Sequence, residues 1–532
     1  MSFKTNEFQQ LSINDCVAGL TAREQKALEK SWAKTFAEDI FPAIDEQRFS
    51  VLYSTKASRP NTPVNVIVGA LIIKELFDLS DDEVVENLML DPRYQYALHT
   101  TSFEEQPLSD KTLTRFRQRC YEYESATGID LYGGCVKDLS AKIAKLMNVS
   151  GQIRRMDSMM VDANIRKLSR VELIYRCISK MLHHISGTGG SPVPEELQHY
   201  LDKDDFNKTF YHRRSSSTDD LTGQLLSDCD LLFDYCGSEY EGVTEYELLV
   251  RCLSEQTIVE DGLRKMRRKE DGGLDSRMLQ SPTDPDATFR NKAGKKRSGY
   301  ALNIEESVGE NGSVITDFQF EQNIYGDSRF LRDRLKSMDV QEKPVTLIAD
   351  GAYSGTDNTE AAAEKNVTLI TTDLSGRRTS DIMADFIFSE DRKKVLSCPA
   401  GNTPKSCSFD KTNERYKVSF DRSCCENCPH KDECRAKIYK KVAKIVITKK
   451  SYARALSQKF RKSEEFHQLY RIRNGVETIP SILRRIYNID RLPRGLQRGR
   501  FFTGSKIAAL NFRKLLTMKR GRGHYAQNPV LT

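Results

Sequence analysis

Two short apolar runs constrain the fold of this chain most. They are Val345-Thr-Leu-Ile-Ala349 and Val367-Thr-Leu-Ile-Thr371, with a helical pattern from Asp357 to Lys365 between them. A further helix is expected from Ser328 to Ser337, just ahead of the first run. Upstream, strands are expected at Ile153 to Asp162, Gly299 to Glu305 and Ser313 to Phe320. The order is therefore strand, insertion, strand, strand, helix, strand, helix, strand. The first three strands suit an antiparallel meander, and the later alternation suits parallel strands with helices on both faces.

That mixed pattern predicts an α/β fold: a ribonuclease H-like mixed-sheet core over 150–164 and 281–517, interrupted by a helical insertion over 165–280. The insertion reads as helices at Val171 to Ile185, Glu195 to Leu201, Asp219 to Cys236 and Thr244 to Ile258. A helical N-terminal domain is expected over 1–145. Its cues are the capping boxes Thr21-Ala-Arg-Glu24 and Ser80-Asp-Asp-Glu83, the periodic run Val64 to Leu79, and the basic helix capped by Ser109. Two helices followed by a capped basic one fit a helix-turn-helix, with Arg115 and Arg117 as candidate DNA contacts; a plain helical bundle fits equally. Residues 391–440 form a cysteine-rich insertion, and 518–532 a flexible tail.

The chain has 532 residues, enough for three or more domains, with 38% hydrophobic and 30% charged residues. Met1 to Leu20 is polar where a secretory signal would be apolar. The longest apolar run, Val66 to Ile73, is too short to span a bilayer. A cytoplasmic protein without a membrane partner is expected. The net charge is +7, but Arg435 to Arg520 holds 24 Lys/Arg against 4 Asp/Glu, so this block carries +20 and the remainder −13. A basic block on an acidic protein is the electrostatic footprint of a polyanion, and nucleic acid is the expected partner.

Three acidic residues stand in settings suited to metal chemistry. Asp157 lies within a strand, Asp350 ends a strand and precedes Gly351, and Glu477 lies in the basic, helix-like segment Tyr470-Arg-Ile-Arg-Asn-Gly-Val-Glu477. A strand-borne carboxylate is costly to bury without a cation. Together the three can form an oxygen cage for two Mg²⁺ ions, with Mn²⁺ as a substitute; ions roughly 3.5–4 Å apart can hold both the attacking and leaving oxygens of a phosphodiester. Tyr470, Arg473, Glu477 and Arg484 are offset by 0, 3, 7 and 14 residues. On one helix they fall within an arc of roughly 60°. An Asp-Gly turn and a charged surface helix are the ordinary alternatives.

These residues resemble the signature of bacterial insertion-sequence transposases of the DDE class. Tyr470-x₂-Arg473-x₃-Glu477-x₆-Arg484 is similar to the Tyr-Arg-Glu-Lys motif, with Arg where that family usually has Lys. Asp350-Gly-Ala-Tyr-Ser-Gly355 and Asp157-Ser-Met-Met-Val-Asp-Ala-Asn164 resemble the motifs of the second and first Asp. The resemblance implies Asp157, Asp350 and Glu477 as catalytic metal ligands and Tyr470, Arg473 and Arg484 as contacts to the element's end. It implies cut-and-paste DNA transposition on double-stranded DNA, at terminal inverted repeats and target, by a homodimer in the synaptic complex. A transposase-derived repressor without catalysis, and a ribonuclease H-fold nuclease without strand transfer, are the rival readings.

Six of the 13 cysteines lie between Cys398 and Cys434. Cys398 with Cys425-x₂-Cys428-x₅-Cys434 can supply four thiolates to a structural Zn²⁺, with Cys407, Cys424 and His430 as alternatives. Free thiols are the other reading; a disulfide staple does not suit a reducing compartment.

Overall fold

The computed structural model of the protein describes residues 1–8, 14–56, 58–189, 192–211, 218–292, 294–372 and 380–521. Most of the tail expected over 518–532 thus lies outside the described residues. The chain divides into two compact units. One comprises Met1–Ser150, Ser158–Gly326 and Pro480–Thr532; the other comprises Gly151–Asp157 and Asp327–Ile479.

In the first unit the N-terminal helices form where the caps place them. Both capping boxes close, Thr21 with Glu24 and Ser80 with Glu83, and Ser109 caps the helix Asp110–Thr127. The helix Val64–Phe77 is apolar and buried nearly all round. It follows Pro63, which offers no side-chain cap, and the Glu46 carboxylate accepts its first N–H groups instead, from Val64 at 3.1 Å and Asn65 at 3.5 Å. The helix Leu496–Lys519 runs through this unit, packing on Val64–Phe77, on the helix Leu131–Leu146 and on a core strand described next.

Strand β1 (Ile153–Asp162) gives its last residues to this unit. β2 (Thr288–Lys292) pairs antiparallel with β3 (Lys295–Gly309), which pairs antiparallel with β4 (Gly312–Gln322) through a register shift at Glu305/Glu306. β4 is the strand under Leu496–Lys519. Only glycine fits at 299: φ is 152°, and a Cβ there would lie 2.3 Å from the Val161 carbonyl oxygen. Apart from Phe289, β2 is polar, and it carries no strand pattern in the sequence.

The segment between β1 and β2 encloses an apolar core of its own, including Ile178, Met181, Leu182, Leu232 and Leu249. Its helices Arg170–Gly187, Thr218–Cys236 and Thr244–Gln256 lead into a two-stranded hairpin, Thr257–Glu260 with Leu263–Met266. The sequence pattern suggested a mostly helical segment and ran its last helix to Ile258, into this hairpin.

In the second unit, β1 pairs parallel with β5 (Val345–Ala349), from Ile153↔Thr346 to Met156↔Ala349, and β5 pairs parallel with β6 (Val367–Thr371). Helices Asp327–Ser337 and Thr356–Glu364 cover one face, burying Met156, Leu331, Leu335, Leu347 and Ala349. Side chains alternate along a strand, so Arg155 and Asp157 on β1, and Ile348 and Asp350 along β5, point to the opposite face, where the helix Glu464–Asn474 packs on β5. Parallel strands with flanking helices, together with antiparallel ribbons, make a mixed α/β fold of the ribonuclease H-like kind.

A separate antiparallel sheet carries the cysteine-rich region, in the order Ser406–Asp410, Arg415–Asp421, Val442–Thr448, Lys437–Ile438. The strand Val442–Thr448 thus belongs to this sheet, beyond the boundary of 440 expected from the cysteines alone. Its inward Ala443, Ile445 and Ile447 close the small core around Phe420 and Tyr416. Among the described residues no helix is long and apolar enough to cross a membrane.

Candidate active site

Asp157 and Asp350 are brought together by strand register. Each stands one residue beyond the last registered pair of β1 and β5, Met156↔Ala349. Both project to the face opposite the Met156 core: Asp350 just beyond the carboxyl end of β5, where ligands of open α/β sheets bind, and Asp157 midway along β1, where its pairing with β5 stops. Both are half-buried. Asp350 also starts a 3₁₀ turn, Gly351–Tyr353: its Oδ1 accepts from the Gly351 N–H at 2.6 Å and from the Thr372 hydroxyl at 2.8 Å. Thr372 directly follows β6, so residues of three adjacent strands, β1, β5 and β6, meet here. The sequence alone gave no sign of Thr372, because its role depends on the pairing of β6 with β5.

Glu477 reaches this face from a broken helical segment. The helix Glu464–Asn474 gives way to a 3₁₀ turn, Gly475–Glu477, and a second helix, Thr478–Arg485. The four signature residues therefore do not share one continuous helix. The break has a physical cause. Arg155, two residues before Asp157 and on the same face of β1, donates from Nη1 to the Ile472 carbonyl at 2.6 Å. A Cβ on Gly475 would lie 2.0 Å from that Nη1. Glycine at 475 makes room for the guanidinium, and the guanidinium satisfies a carbonyl in the helix's last turn. Arg155 is a positioning residue that the sequence reading missed; it ties the strand of the first acid to the helix before the third.

Arg473 lies between two of the acids. Its Nη1 donates to Glu477 Oε1 at 3.0 Å, and its Nη2 is 4.0 Å from Asp157 Oδ2. Three carboxylates with a hydroxyl beside them are the hard oxygen donors that Mg²⁺ takes, and a cation between Asp157 and Glu477 marks where positive charge is needed. The donor set therefore fits divalent ions. The geometry is open, however: among the described residues no three His, Cys, Asp or Glu side chains are gathered closely enough to hold a metal ion.

Two family models match the chain, a transposase domain (DUF772) over residues 25–119 and a transposase DDE domain over residues 397–516. Both matches support an insertion-sequence DDE transposase, and the DDE domain indicates an enzyme of metal-dependent DNA cleavage and strand transfer. The DDE match takes in Glu477 and Cys398, Cys425, Cys428 and Cys434, while Asp157 and Asp350 lie outside it. No curated protein matches the transposase. Among solved structures it is similar to one described as a cryo-EM structure of the piggyBac transposase synaptic complex with hairpin DNA. That likeness covers 95% of this chain and 77% of the other at 7% identity and a TM-score of 0.29, too low to carry any argument.

Several cations expected to meet DNA are engaged within the protein. Arg117 is buried, ion-paired with Asp81 and set over the Phe502 ring; a groove-reading role does not suit it, whereas Arg115 is exposed on the same helix. Arg484 donates to the Met160 carbonyl at 2.6 Å and to Asp490 at 3.0 Å, and Asp490 in turn accepts from the Asp162 N–H. Its guanidinium clamps the end of β1. Lys506, Arg513 and Lys514, counted in the basic block, are buried in the Leu496–Lys519 helix, with Lys506 paired to Glu75 and Lys514 to Glu306. The polyanion footprint is smaller than the charge count implied. Tyr470 remains exposed and stacks on Phe466.

Cys398, Cys424, Cys425, Cys428, His430 and Cys434 all line one cavity of about 20 Å³. Burial pushes the Cys434 thiol up to about 11 and raises that of Cys425, with the neighbouring thiols adding to both. The sulfurs share a space but, as at the acids, are not drawn into ligand geometry.

Proposed function

We propose that this transposase carries out cut-and-paste transposition at the site built by Asp157, Asp350 and Glu477. The observation that carries the reading is the register that sets Asp157 beside Asp350 on one face of β1 and β5, the face on which the Glu464–Asn474 helix packs. Mg²⁺ at these carboxylates would supply charge neutralisation at the scissile phosphate and a more acidic water. The chain's own residues position. Thr372 and the Gly351 N–H fix Oδ1 of Asp350, and Arg155 fixes the helix before Glu477. In the first step water attacks phosphorus at the element's end and a 3′-oxygen leaves. In the second, that 3′-hydroxyl attacks target DNA and another 3′-oxygen leaves. Joining two ends implies a homodimer, with exposed cations such as Arg115 and those of the Lys449–Arg461 helix meeting duplex phosphates.

Asp157→Asn, Asp350→Asn and Glu477→Gln should each lower cleavage of an element-end duplex by about 10³-fold or more, while a gel shift on the same duplex changes by less than about threefold. Equal loss of binding and cleavage would mean that the residues are structural. Hydrolysis without joined product would favour the nuclease reading.

For the cysteine cavity we propose a structural Zn²⁺ held by Cys398, Cys425, Cys428 and Cys434. A shared cavity and thiols at zinc spacing support it. Zinc binding would release the thiol protons. Metal analysis should find about one zinc per chain, lost in Cys425→Ser/Cys428→Ser; metal-free, folded and active protein would remove the site.

A further inference from the structure

Arg473 stands where its charge and that of a divalent ion exclude each other. Its side chain is 9% exposed, and its Nε is buried without a hydrogen-bond partner. A guanidinium so enclosed is costly unless anionic groups compensate it. Two groups compensate it: Glu477, hydrogen-bonded at 3.0 Å, and Asp157, at ion-pair range, 4.0 Å. Both are among the three carboxylates assigned above to metal.

We infer that Arg473 is an internal counter-cation, which holds Asp157 and Glu477 in the metal-free enzyme and must withdraw from them as a divalent ion enters. The inference rests on the reading of those acids as metal ligands. A divalent ion at the same carboxylates would stand within a few ångströms of the guanidinium, and like charges so close repel strongly. A guanidinium therefore cannot keep both carboxylates once a divalent ion takes them. Its withdrawal is geometrically simple. Arg473 lies in the last turn of Glu464–Asn474, and Glu477 lies on the 3₁₀ turn that follows, so rotation about the arginine's own side-chain bonds separates them. The unpartnered Nε and the long contact to Asp157 fit a group that is only partly satisfied where it sits. The cation also offsets the repulsion between Asp157 and Glu477 where no metal is bound. The consequence is that metal loading is a competition, with an affinity lower than the carboxylates alone would give.

The test is Mn²⁺ binding to the full-length protein without DNA, followed by electron paramagnetic resonance of the free ion. Arg473→Gln, which removes the charge and keeps a polar side chain, should bind Mn²⁺ about tenfold more tightly than wild type. Unchanged or weaker binding by a folded Arg473→Gln protein overturns the inference. Should that variant not fold, Arg473→Lys reads the same way: one ammonium cannot bridge two carboxylates with separate nitrogens, so tighter Mn²⁺ supports the competition and equal or weaker affinity overturns it. Asp157→Asn separates this inference from the reading beneath it. If Asp157→Asn binds Mn²⁺ as well as wild type, the acids are not the ligands and the site assignment itself fails.

Discussion

Gly475 and Arg155 fit against each other so closely that a single methyl group would part them: a Cβ at 475 would lie 2.0 Å from Arg155 Nη1 and 2.9 Å from its Cζ. Arg155 belongs to the strand of Asp157, and Gly475 begins the turn that carries Glu477. The contact thus links two of the three acids through backbone and guanidinium rather than through the acids themselves.

Gly475→Ala should therefore be destabilising although alanine is the better helix former. The propensity gain is at most about 1 kcal/mol, whereas forcing a buried guanidinium aside costs typically about 1–3 kcal/mol, with loss of the bond to the Ile472 carbonyl in addition. Urea unfolding should show a net loss of about 1–2 kcal/mol, and cleavage should fall further than duplex binding. A variant as stable and active as wild type would show that Arg155 does not position the turn.

Lys514 and Glu306 form a fully buried pair, joined by the Ser313 hydroxyl, which donates to Glu306 at 2.6 Å. Lys514→Met should cost about 3–5 kcal/mol, because it leaves a buried carboxylate without its cation. Lys514→Met/Glu306→Leu should recover most of that loss. The salt dependence of DNA binding should be the same in the double variant as in wild type, since Lys514 meets no phosphate. A flatter salt slope by about one unit would return this lysine to the DNA interface.

Asp284 offers a test of pH dependence. It is buried, accepts from the Tyr300 hydroxyl at 2.5 Å and the Gly495 N–H at 3.2 Å, and leaves Oδ2 without a partner. Burial raises its carboxyl above the usual carboxylate value. The folded state therefore holds the proton more tightly than the unfolded chain. The stability this group contributes is full below about pH 3.9, the ordinary aspartate value, and is lost as pH rises through the raised folded value. Asp284→Asn can keep both accepted bonds and supplies N–H donors in place of the unpartnered oxygen. The stability of wild type relative to Asp284→Asn should accordingly fall as pH rises from about 4 to 7, read by urea unfolding of both. A difference that does not change with pH would mean that Asp284 titrates as an exposed aspartate.

Much of the core was legible because its signals are local. Val345–Ala349 and Val367–Thr371 are apolar strands bounded by turn residues, and the Thr21/Glu24 and Ser80/Glu83 boxes satisfy helix ends within four residues of chain. What was not legible depends on partners far away in sequence. Counting charge assigned Lys506 and Lys514 to a DNA footprint, because their acids Glu75 and Glu306 lie hundreds of residues off. Gly475 and Pro480 mark a break in the Tyr470 to Arg484 helix locally, but nothing local announces that Arg155 sits under Gly475. Thr372 had no pattern to mark it, since only the parallel pairing of β6 with β5 sets it beside Asp350. The three acids themselves were read from their strand and helix settings, and two of them are now neighbours by register.

The central claim is that Asp157, Asp350 and Glu477 together hold the divalent ions, and the position of the bound metal tests it most directly. Fe²⁺ loaded in place of Mg²⁺, with ascorbate added, releases hydroxyl radicals that cut the polypeptide close to the ion. Mass spectrometry of the fragments should place the cuts near residues 157, 350 and 477, all three suppressed by excess Mg²⁺ and all three weakened in Asp350→Asn. Cuts confined to the 398–434 region, or cuts near residue 157 that persist undiminished in Asp350→Asn, would contradict a shared metal site where the pairing of β1 with β5 ends.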